Sequence, residues 1–169
     1  AFASDMNEEL DAAVGAVASS AAAVEAADVV VTATSASEPV FDGDRLPDGA
    51  HVTAMGQYHP EKREVDATTV ARATYVPDLR ARIHQDAGAF MLAREEGAVD
   101  DDHVHAELGE VVAGKAPGRT SRDEITLFDS GGTAIETVAA AHMLYERASE
   151  AGRGQRLPFA PASEAMPGK

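Results

Sequence analysis

The chain has 169 residues, in which 29 Asp and Glu outnumber 14 Lys and Arg and give a formal net charge of −15. Such a charge repels phosphate backbones and anionic lipid surfaces, so the sequence predicts no nucleic-acid partner and no membrane partner. Cysteine is absent, which excludes a disulfide framework, a thiolate metal site and a cysteine nucleophile. Without an apolar run near the ~18–20 residues that span a bilayer, and without a secretory signal, the chain is predicted to be cytoplasmic.

Hydrophobic patterns divide the first part of the chain into helices and strands. Phe2, Met6 and Leu10 fall on one helical face, so a helix is already under way where the chain begins. The run of β-branched residues near Val30 is typical of a parallel strand that is buried on both faces. The predicted elements are a helix over 2–14, a weak strand over 14–17, a helix over 21–27 capped by Ser19 or Ser20, and buried strands over 28–34 and 51–55.

The second part of the chain continues the alternation of helices with strands. Its predicted elements are a helix over 66–73 capped by Asp66, a strand over 74–76, a helix that opens at Asp78 and carries Leu79, Ile83 and residues 90–93, a helix over 105–113, a strand over 125–128 and a helix over 133–147. Strands that alternate with helices predict an α/β fold with a parallel sheet. Residues 152–169 are rich in Gly, Pro and Ala and are predicted to be disordered.

The excess acid is scattered along the chain, and Lys occurs only at Lys62, Lys115 and Lys169. This composition is typical of a salt-adapted, halophilic protein, because hydrated carboxylates keep a protein soluble at ionic strengths that screen their mutual repulsion. The alternative is an acidic domain without salt adaptation.

Small and hydroxyl-bearing residues follow three of the predicted strands. They are Thr32 to Ser35, Ala54 to Gly56, and Asp129 to Gly132, the last leading directly into a helix. Ligands of open α/β sheets bind at such strand ends, and a helix N-terminus behind Gly and Ser favours an anion or a carboxamide. Ordinary strand-to-helix turns use the same residues, but three in one sheet favour a nucleotide-type site. No Gly-x-Gly-x-x-Gly or Walker loop is present, so a dinucleotide site is not complete in this sequence.

Three other polar groups have competing interpretations. His103 and His105 beside Asp100–Asp102 could bind a metal, but the flanking sequence predicts a helix start, so we favour a charged cap and predict no metal site. Glu107 and Glu110 form either a carboxylate pair or a solvated helix face. The polar loop 58–64, which follows a buried strand, is a place for acid–base chemistry or a solvated turn.

Several stretches together resemble the ornithine cyclodeaminase/mu-crystallin family in their order and spacing. As a set they are specific, and they cover roughly residues 2–150. They are residues 27–34, 54–56, 60–66, 106–114, 117–119, 123–130 and 134–136.

The resemblance implies a domain organisation. Residues 1–130 would be part of a Rossmann NAD(P)-binding domain, without its first strand and phosphate loop. Residues 131–151 would be a C-terminal helix that returns to an absent substrate and dimerisation domain, and residues 152–169 a disordered tail. The chain is therefore expected to be a fragment of a longer protein that is a homodimer when full length.

The resemblance also assigns cofactor-binding residues by their positions. Thr34 would line the cofactor after its strand, and Lys62 would lie beside it. The backbone of Ala54, Met55 and Gly56 would border the nicotinamide. Ser130 and Gly131 would close the nicotinamide end of the site.

One position departs from the family pattern. Cyclodeaminases and alanine dehydrogenases of the family carry an Asp in the loop after Gly56, where this chain has Tyr58. Phenols ionise near pH ~10 and do not replace a carboxylate base, so the catalytic residues stay unassigned.

The family resemblance implies an NAD(P)-dependent oxidoreductase of an amino acid or imine, alanine dehydrogenase-like, with NAD or NADP as its cofactor. The alternatives are an ornithine cyclodeaminase and a non-catalytic NAD(P)H-binding protein. Because it lacks a phosphate loop, the chain alone is expected to be inactive.

Overall fold

A parallel sheet of four strands organises the first part of the protein, which a computed structural model describes over residues 2–56, 58–155 and 157. The strands are β1 (Val29–Thr32), β2 (His51–Ala54), β3 (Thr74–Pro77) and β4 (Thr126–Asp129). Their order in the sheet is β1-β2-β4-β3, and every neighbouring pair is parallel. The predicted α/β fold with a parallel sheet is therefore confirmed.

Helices and short turns connect the strands. The helices are α1 (Phe2–Glu9), α2 (Ser20–Val24), α3 (Ala67–Arg72), α4 (Gly88–Glu95), α5 (Leu108–Val112) and α6 (Ala134–Glu150), and the 3-10 turns are Gly43–Arg45, Arg80–His84 and Asp101–His103. The caps follow local chemistry, because short polar side chains satisfy the first free N–H groups of a helix. Ser19 accepts from the N–H of Ala22, and Asp66 accepts from the N–H of Thr69. The sequence therefore located these helix starts from local residues alone.

The core lies against one face of the sheet. Val52, Leu127 and Tyr75 point from the strands into this core, where the ring of Tyr75 meets that of Phe90 with centroids 4.8 Å apart. Side chains alternate along a strand, so their neighbours point to the other face. On that face Val29 and Val31 are 60% and 59% exposed, and the prediction that this strand is buried on both faces is wrong for the described residues. Strand β2 is likewise only half buried, as its pattern alternates.

The first predicted helix is shorter than its pattern suggested. Helix α1 ends at Glu9, after which the side chain of Asn7 donates to the carbonyl of Val14 and accepts from its N–H, at 2.6 and 2.7 Å. This pair of bonds turns the chain back on the helix. Residues 14–17, predicted as a weak strand, are irregular, since none of the described strands offers them a ladder of hydrogen bonds.

Asp78 does not open a long helix, as the sequence had suggested. The segment divides into the 3-10 turn Arg80–His84 and the separate helix α4, and Leu79 is 45% exposed while Ile83 is buried. The Asp78 carboxylate instead accepts from the N–H groups of Gly131 and Gly132, at 2.7 and 2.8 Å. The local pattern predicted that Asp78 starts a helix, but its side chain binds Gly131 and Gly132, which are distant in sequence.

Helix α6 lies in the second of two compact units, Thr133–Lys169; the first unit is Ala1–Gly132. It starts with a capping box, in which Thr133 and Glu136 bond each other's backbone N–H groups. Its apolar side chains include Ile135, Val138 and Leu144, and none of its residues is buried. Residues 152–169 are predicted to be disordered, and of these 156 and 158–169 lie outside the described residues. Among the described helices, none has the length and apolar character that crossing a bilayer requires.

Glu124 closes the loop that leads into β4 and gives a testable pH dependence. Hydrogen bonds from the Thr74 hydroxyl and the Thr120 N–H lower its pKa from 4.5 to about 2. Because the folded pKa lies below the ordinary one, the stabilisation is complete above pH 4.5 and is lost as the pH falls towards 2. We expect Glu124→Gln to be less stable than the parent at neutral pH and to lose less stability on acidification, measured by urea unfolding.

The matched control for this experiment is Glu38→Gln, since Glu38 is an exposed residue. Its unfolding free energy should follow that of the parent at every pH. A Glu124→Gln curve that coincides with that of the parent at every pH would show that the Glu124 bonds contribute nothing to stability.

Candidate functional site

Three strand-end loops lie side by side at the carboxyl edge of the sheet. Strands β1, β2 and β4 are neighbours, so the segments that follow them come together. The N–H of Met55 donates to the carbonyl of Thr32, and the N–H of Ser130 donates to that of Ala54, both at 2.9 Å. The loops predicted to form a site therefore meet at one edge.

The predicted site residues differ in their solvent exposure. Ala54 is fully buried, whereas Met55 is 48% exposed and Thr34 is exposed beside it in the neighbouring loop. Lys62 is exposed on the turn after β2, where its carbonyl oxygen lies against Gly88. Tyr58 is 66% exposed on the same connection. Ser130 and Gly131, the remaining predicted residues, are half-buried.

A buried carboxylate joins the first two loops. Glu64 is 0% exposed, and its oxygens accept from the N–H of Thr34, from the N–H of Gly56 at 2.7 Å and from the hydroxyl of Thr32 at 2.8 Å. Burial raises the pKa of Glu64, but the hydrogen bonds from Thr34, Gly56 and Thr32 outweigh it and leave the pKa below its usual value. The sequence placed Glu64 only in a polar loop, and nothing local distinguished it from Glu61.

Gly56 permits these two loops to touch. A Cβ atom at this position would collide with the carbonyl oxygen of Thr34 and lie 2.5 Å from a carboxylate oxygen of Glu64. The sequence predicted that this glycine admits a ligand to the backbone. In the structure it admits the neighbouring loop, and the approach of a ligand to its backbone stays a prediction.

The third loop is held by Asp78. Its carboxylate binds the N–H groups of Gly131 and Gly132, while the N–H of Thr133 donates to the Glu136 side chain at 3.0 Å. The sequence suggested that this helix start favours an anion or a carboxamide. In this structure the N–H groups of Gly131, Gly132 and Thr133 therefore already donate to carboxylates.

Arg82 links Asp78 to the end of β4. The guanidinium, 6% exposed, lies 3.1 Å from a carboxylate oxygen of Asp129 and 3.6 Å from one of Asp78, and also pairs with Asp86 at 2.8 Å. The hydroxyl of Tyr75 donates to Asp129 at 2.6 Å. Burial, followed by the charge of Asp129, raises the pKa of Tyr75 well above 10, so the phenol stays protonated. This buried network was not predicted from the sequence.

The histidines considered for metal binding have other partners. The Nε2 atom of His103 lies 2.8 Å from the carbonyl of Val70, and that of His105 lies 2.8 Å from the carbonyl of Pro117. Asp100 caps the 3-10 turn Asp101–His103. In the parts of the chain that the structure describes, no three His, Asp or Glu side chains are grouped to hold a metal ion.

Comparison with known proteins shows to which family the chain with this site belongs. Residues 1–152 match the model of the ornithine cyclodeaminase/mu-crystallin family. The chain belongs to this family. The resemblance of the separate sequence stretches is thereby confirmed, and with it the order in which the strand-end loops follow one another.

Relatives within the ornithine cyclodeaminase/mu-crystallin family include reductases and dehydrogenases. The chain is 37% identical over 138 residues to a Δ1-pyrroline-2-carboxylate reductase of Bacillus cereus, covering 81% of this chain and 42% of the relative. It is 38% identical over 133 residues to an alanine dehydrogenase of Archaeoglobus fulgidus, covering 78% of this chain and 41% of that protein.

A solved member of the family has the same fold. The Δ1-pyrroline-2-carboxylate reductase of Thermococcus litoralis, in complex with NADH and L-proline, matches with a TM-score of 0.85 and 37% identity, covering 92% of this chain and 48% of that one. The chain thus spans less than half the length of each of these proteins.

Proposed function

We propose that this chain supplies the nicotinamide-bordering part of an NAD(P)-dependent oxidoreductase that acts on an amino acid or a cyclic imine. The observation that carries the proposal is the juxtaposition of Thr34, Ala54–Gly56 and Ser130 at the carboxyl ends of three adjacent strands. The reductase of Thermococcus litoralis, with the same fold, was solved with NADH and L-proline. Alanine dehydrogenase among the relatives supports the same chemical class.

The residues at this edge suit a flat ring that carries no phosphate. Met55 offers a half-exposed thioether that can cover one ring face, and buried Ala54 beside Gly56 adds little bulk. Backbone N–H groups of the loops already donate to the carboxylates of Glu64 and Asp78, so they are not available to bind a phosphate at this edge. When bound, the nicotinamide supplies hydride transfer, and the role of this chain is to orient the ring and exclude water.

The experiment uses the protein expressed from its complete reading frame. NADH and NADPH binding is measured by fluorescence titration. Turnover is then followed as loss of NADH absorbance with Δ1-pyrroline-2-carboxylate, and with pyruvate plus ammonium. We expect saturable binding and formation of L-proline or L-alanine. Failure to bind either nucleotide would refute the proposal.

A second candidate function is nucleotide binding without turnover. It is favoured by Tyr58, an exposed phenol in the loop where the family resemblance leads us to expect a carboxylate. Saturable NADPH binding with no product from any imine or amino acid of the panel would support it. Release of ammonia from ornithine would instead assign a cyclodeaminase. Homodimer formation and a cytoplasmic location stay predictions, and gel filtration with light scattering tests the dimer.

We further propose that the protein is salt-adapted, as its net charge of −15 suggests. Raising NaCl from about 0.1 M to 1 M shortens the Debye length from about 10 Å to about 3 Å, which screens repulsion between carboxylates. We therefore expect the midpoint of thermal unfolding at pH 7 to rise over this range. Near the sequence pI of 4.6 the net charge is small, and the rise should be much smaller. An equal rise at both pH values would contradict the proposal.

A further inference from the structure

Glu64 accepts backbone hydrogen bonds just beyond the point where the pairing of β1 with β2 ends. The last backbone bond between the first two strand-end segments runs from the N–H of Met55 to the carbonyl of Thr32. Beyond it, the N–H groups of Thr34 and Gly56 both donate to Glu64. Beyond this direct bond, the two loops are therefore also joined through the side chain of Glu64.

The two oxygens of this carboxylate share three donors from the two strand-end segments. Oε1 accepts from Thr34, and Oε2 accepts from Gly56 and from the hydroxyl of Thr32. A carboxylate is planar and accepts only, so it matches the three donors from Thr32, Thr34 and Gly56. Its geometry fixes the separation between the two loops.

The backbone at Glu64 is itself held in place by a hydrogen bond and by the core. Its carbonyl accepts from the N–H of Val40 at 2.8 Å, and the adjacent Val65 is 0% exposed in the core. Because the side chain of Glu64 is also completely buried, it cannot touch a ligand at the exposed edge. Any effect on a ligand must pass through the loops that it holds.

We propose that Glu64 is a positioning residue for the cofactor: by clamping the loop after β1 to the loop after β2, it sets the shape of the edge that borders the nicotinamide. This inference rests on the proposed function. We call Glu64 with Thr32, Thr34 and Gly56 the Glu64 clamp. A single carboxylate thereby makes two segments distant in sequence act as one rigid surface.

Three variants test the clamp. Glu64→Gln keeps the size of the side chain but turns one acceptor into a donor, which opposes one of the two backbone N–H groups. Thr32→Val removes only the hydroxyl bond and leaves both backbone bonds. Glu61→Gln, at an exposed position in the same connection, is the matched control.

The first readout is NADH affinity, measured on protein shown to be folded by circular dichroism. We expect Glu64→Gln to weaken binding about tenfold or more, because small displacements of binding groups are costly. Thr32→Val should have a smaller effect and Glu61→Gln none. A folded Glu64→Gln variant that binds NADH as tightly as the parent would overturn the proposal.

The second readout needs no variant and no cofactor. In the parent protein, the amide protons of Thr34 and Gly56 should shift together in an NMR pH titration, with one shared midpoint below 4.5, because one carboxylate accepts from both. Separate midpoints, or no response, would overturn the clamp even if Glu64→Gln does not fold. If the parent binds no nucleotide, the proposed function fails, and a shared midpoint would still confirm the clamp itself.

Discussion

Replacing Arg82 with Met is expected to lower the free energy of unfolding by about 3–5 kcal/mol. The guanidinium is buried, and it faces the carboxylates of Asp78 and Asp129, whose side chains are both 0% exposed. Methionine fills most of the same volume but leaves these two negative groups buried without their cation. Equilibrium unfolding in urea, monitored by circular dichroism, measures the loss.

The control for this variant is Arg45→Met. Arg45 also pairs with a carboxylate, that of Glu25 at 2.7 Å, but its side chain is 54% exposed. Exposed pairs contribute roughly 0–1 kcal/mol, so this variant should unfold close to the parent. Equal losses for the two variants would mean that burial of the Arg82 network is unimportant for stability.

Replacing Gly56 with Ala is expected to damage both the fold and the site. The added methyl group would overlap the carbonyl oxygen of Thr34 and press on Glu64, so the two loops must separate. Overpacking of this kind costs about 1–3 kcal/mol of unfolding free energy. A displacement of about 1 Å at the edge would lower turnover about a hundredfold, which NADH-linked assays measure.

Gly109→Ala is the matched control for Gly56→Ala. Gly109 lies in α5, and a Cβ atom built there meets no atom within 4 Å. Alanine in a helix is favoured over glycine by about 0.5–1 kcal/mol, so this variant should be as stable as the parent or slightly more so. If Gly56→Ala behaved in the same way, the close contact between the loops would not exist in solution.

The expected losses at Arg82 and Gly56 arise from contacts that local pattern did not predict. Strand β1 was located because β-branched residues favour extended backbone, and Ser19 and Asp66 were located as helix starts because short polar side chains can cap free N–H groups. The role of Asp78 was predicted wrongly by the same rules. An Asp before a helix-like pattern looks like a cap, and only the position of Gly131 and Gly132 gave it other partners.

Burial of the sheet was likewise predicted only in part from the sequence. Three consecutive valines predict a strand that is covered on both sides, yet the described residues bury Val30 and leave Val29 and Val31 largely exposed. Hydrophobicity indicates which faces of a strand can be buried. It does not indicate which elements are available to cover them, because that depends on how distant segments pack.

By itself the sequence determined the four strands of the sheet, the parallel α/β class and the family, and it predicted the strand ends at which a ligand would bind. These follow from local backbone preference, capping and side-chain period, which act over a few residues. Only the tertiary structure decided that Glu64 accepts from residues 8 and 30 positions away, and that Arg82 and Asp129 pair across 47 positions. Such pairs form because buried polar groups need hydrogen-bond partners, and the fold supplies these from distant segments. Spacing along the chain therefore does not predict which residues pair.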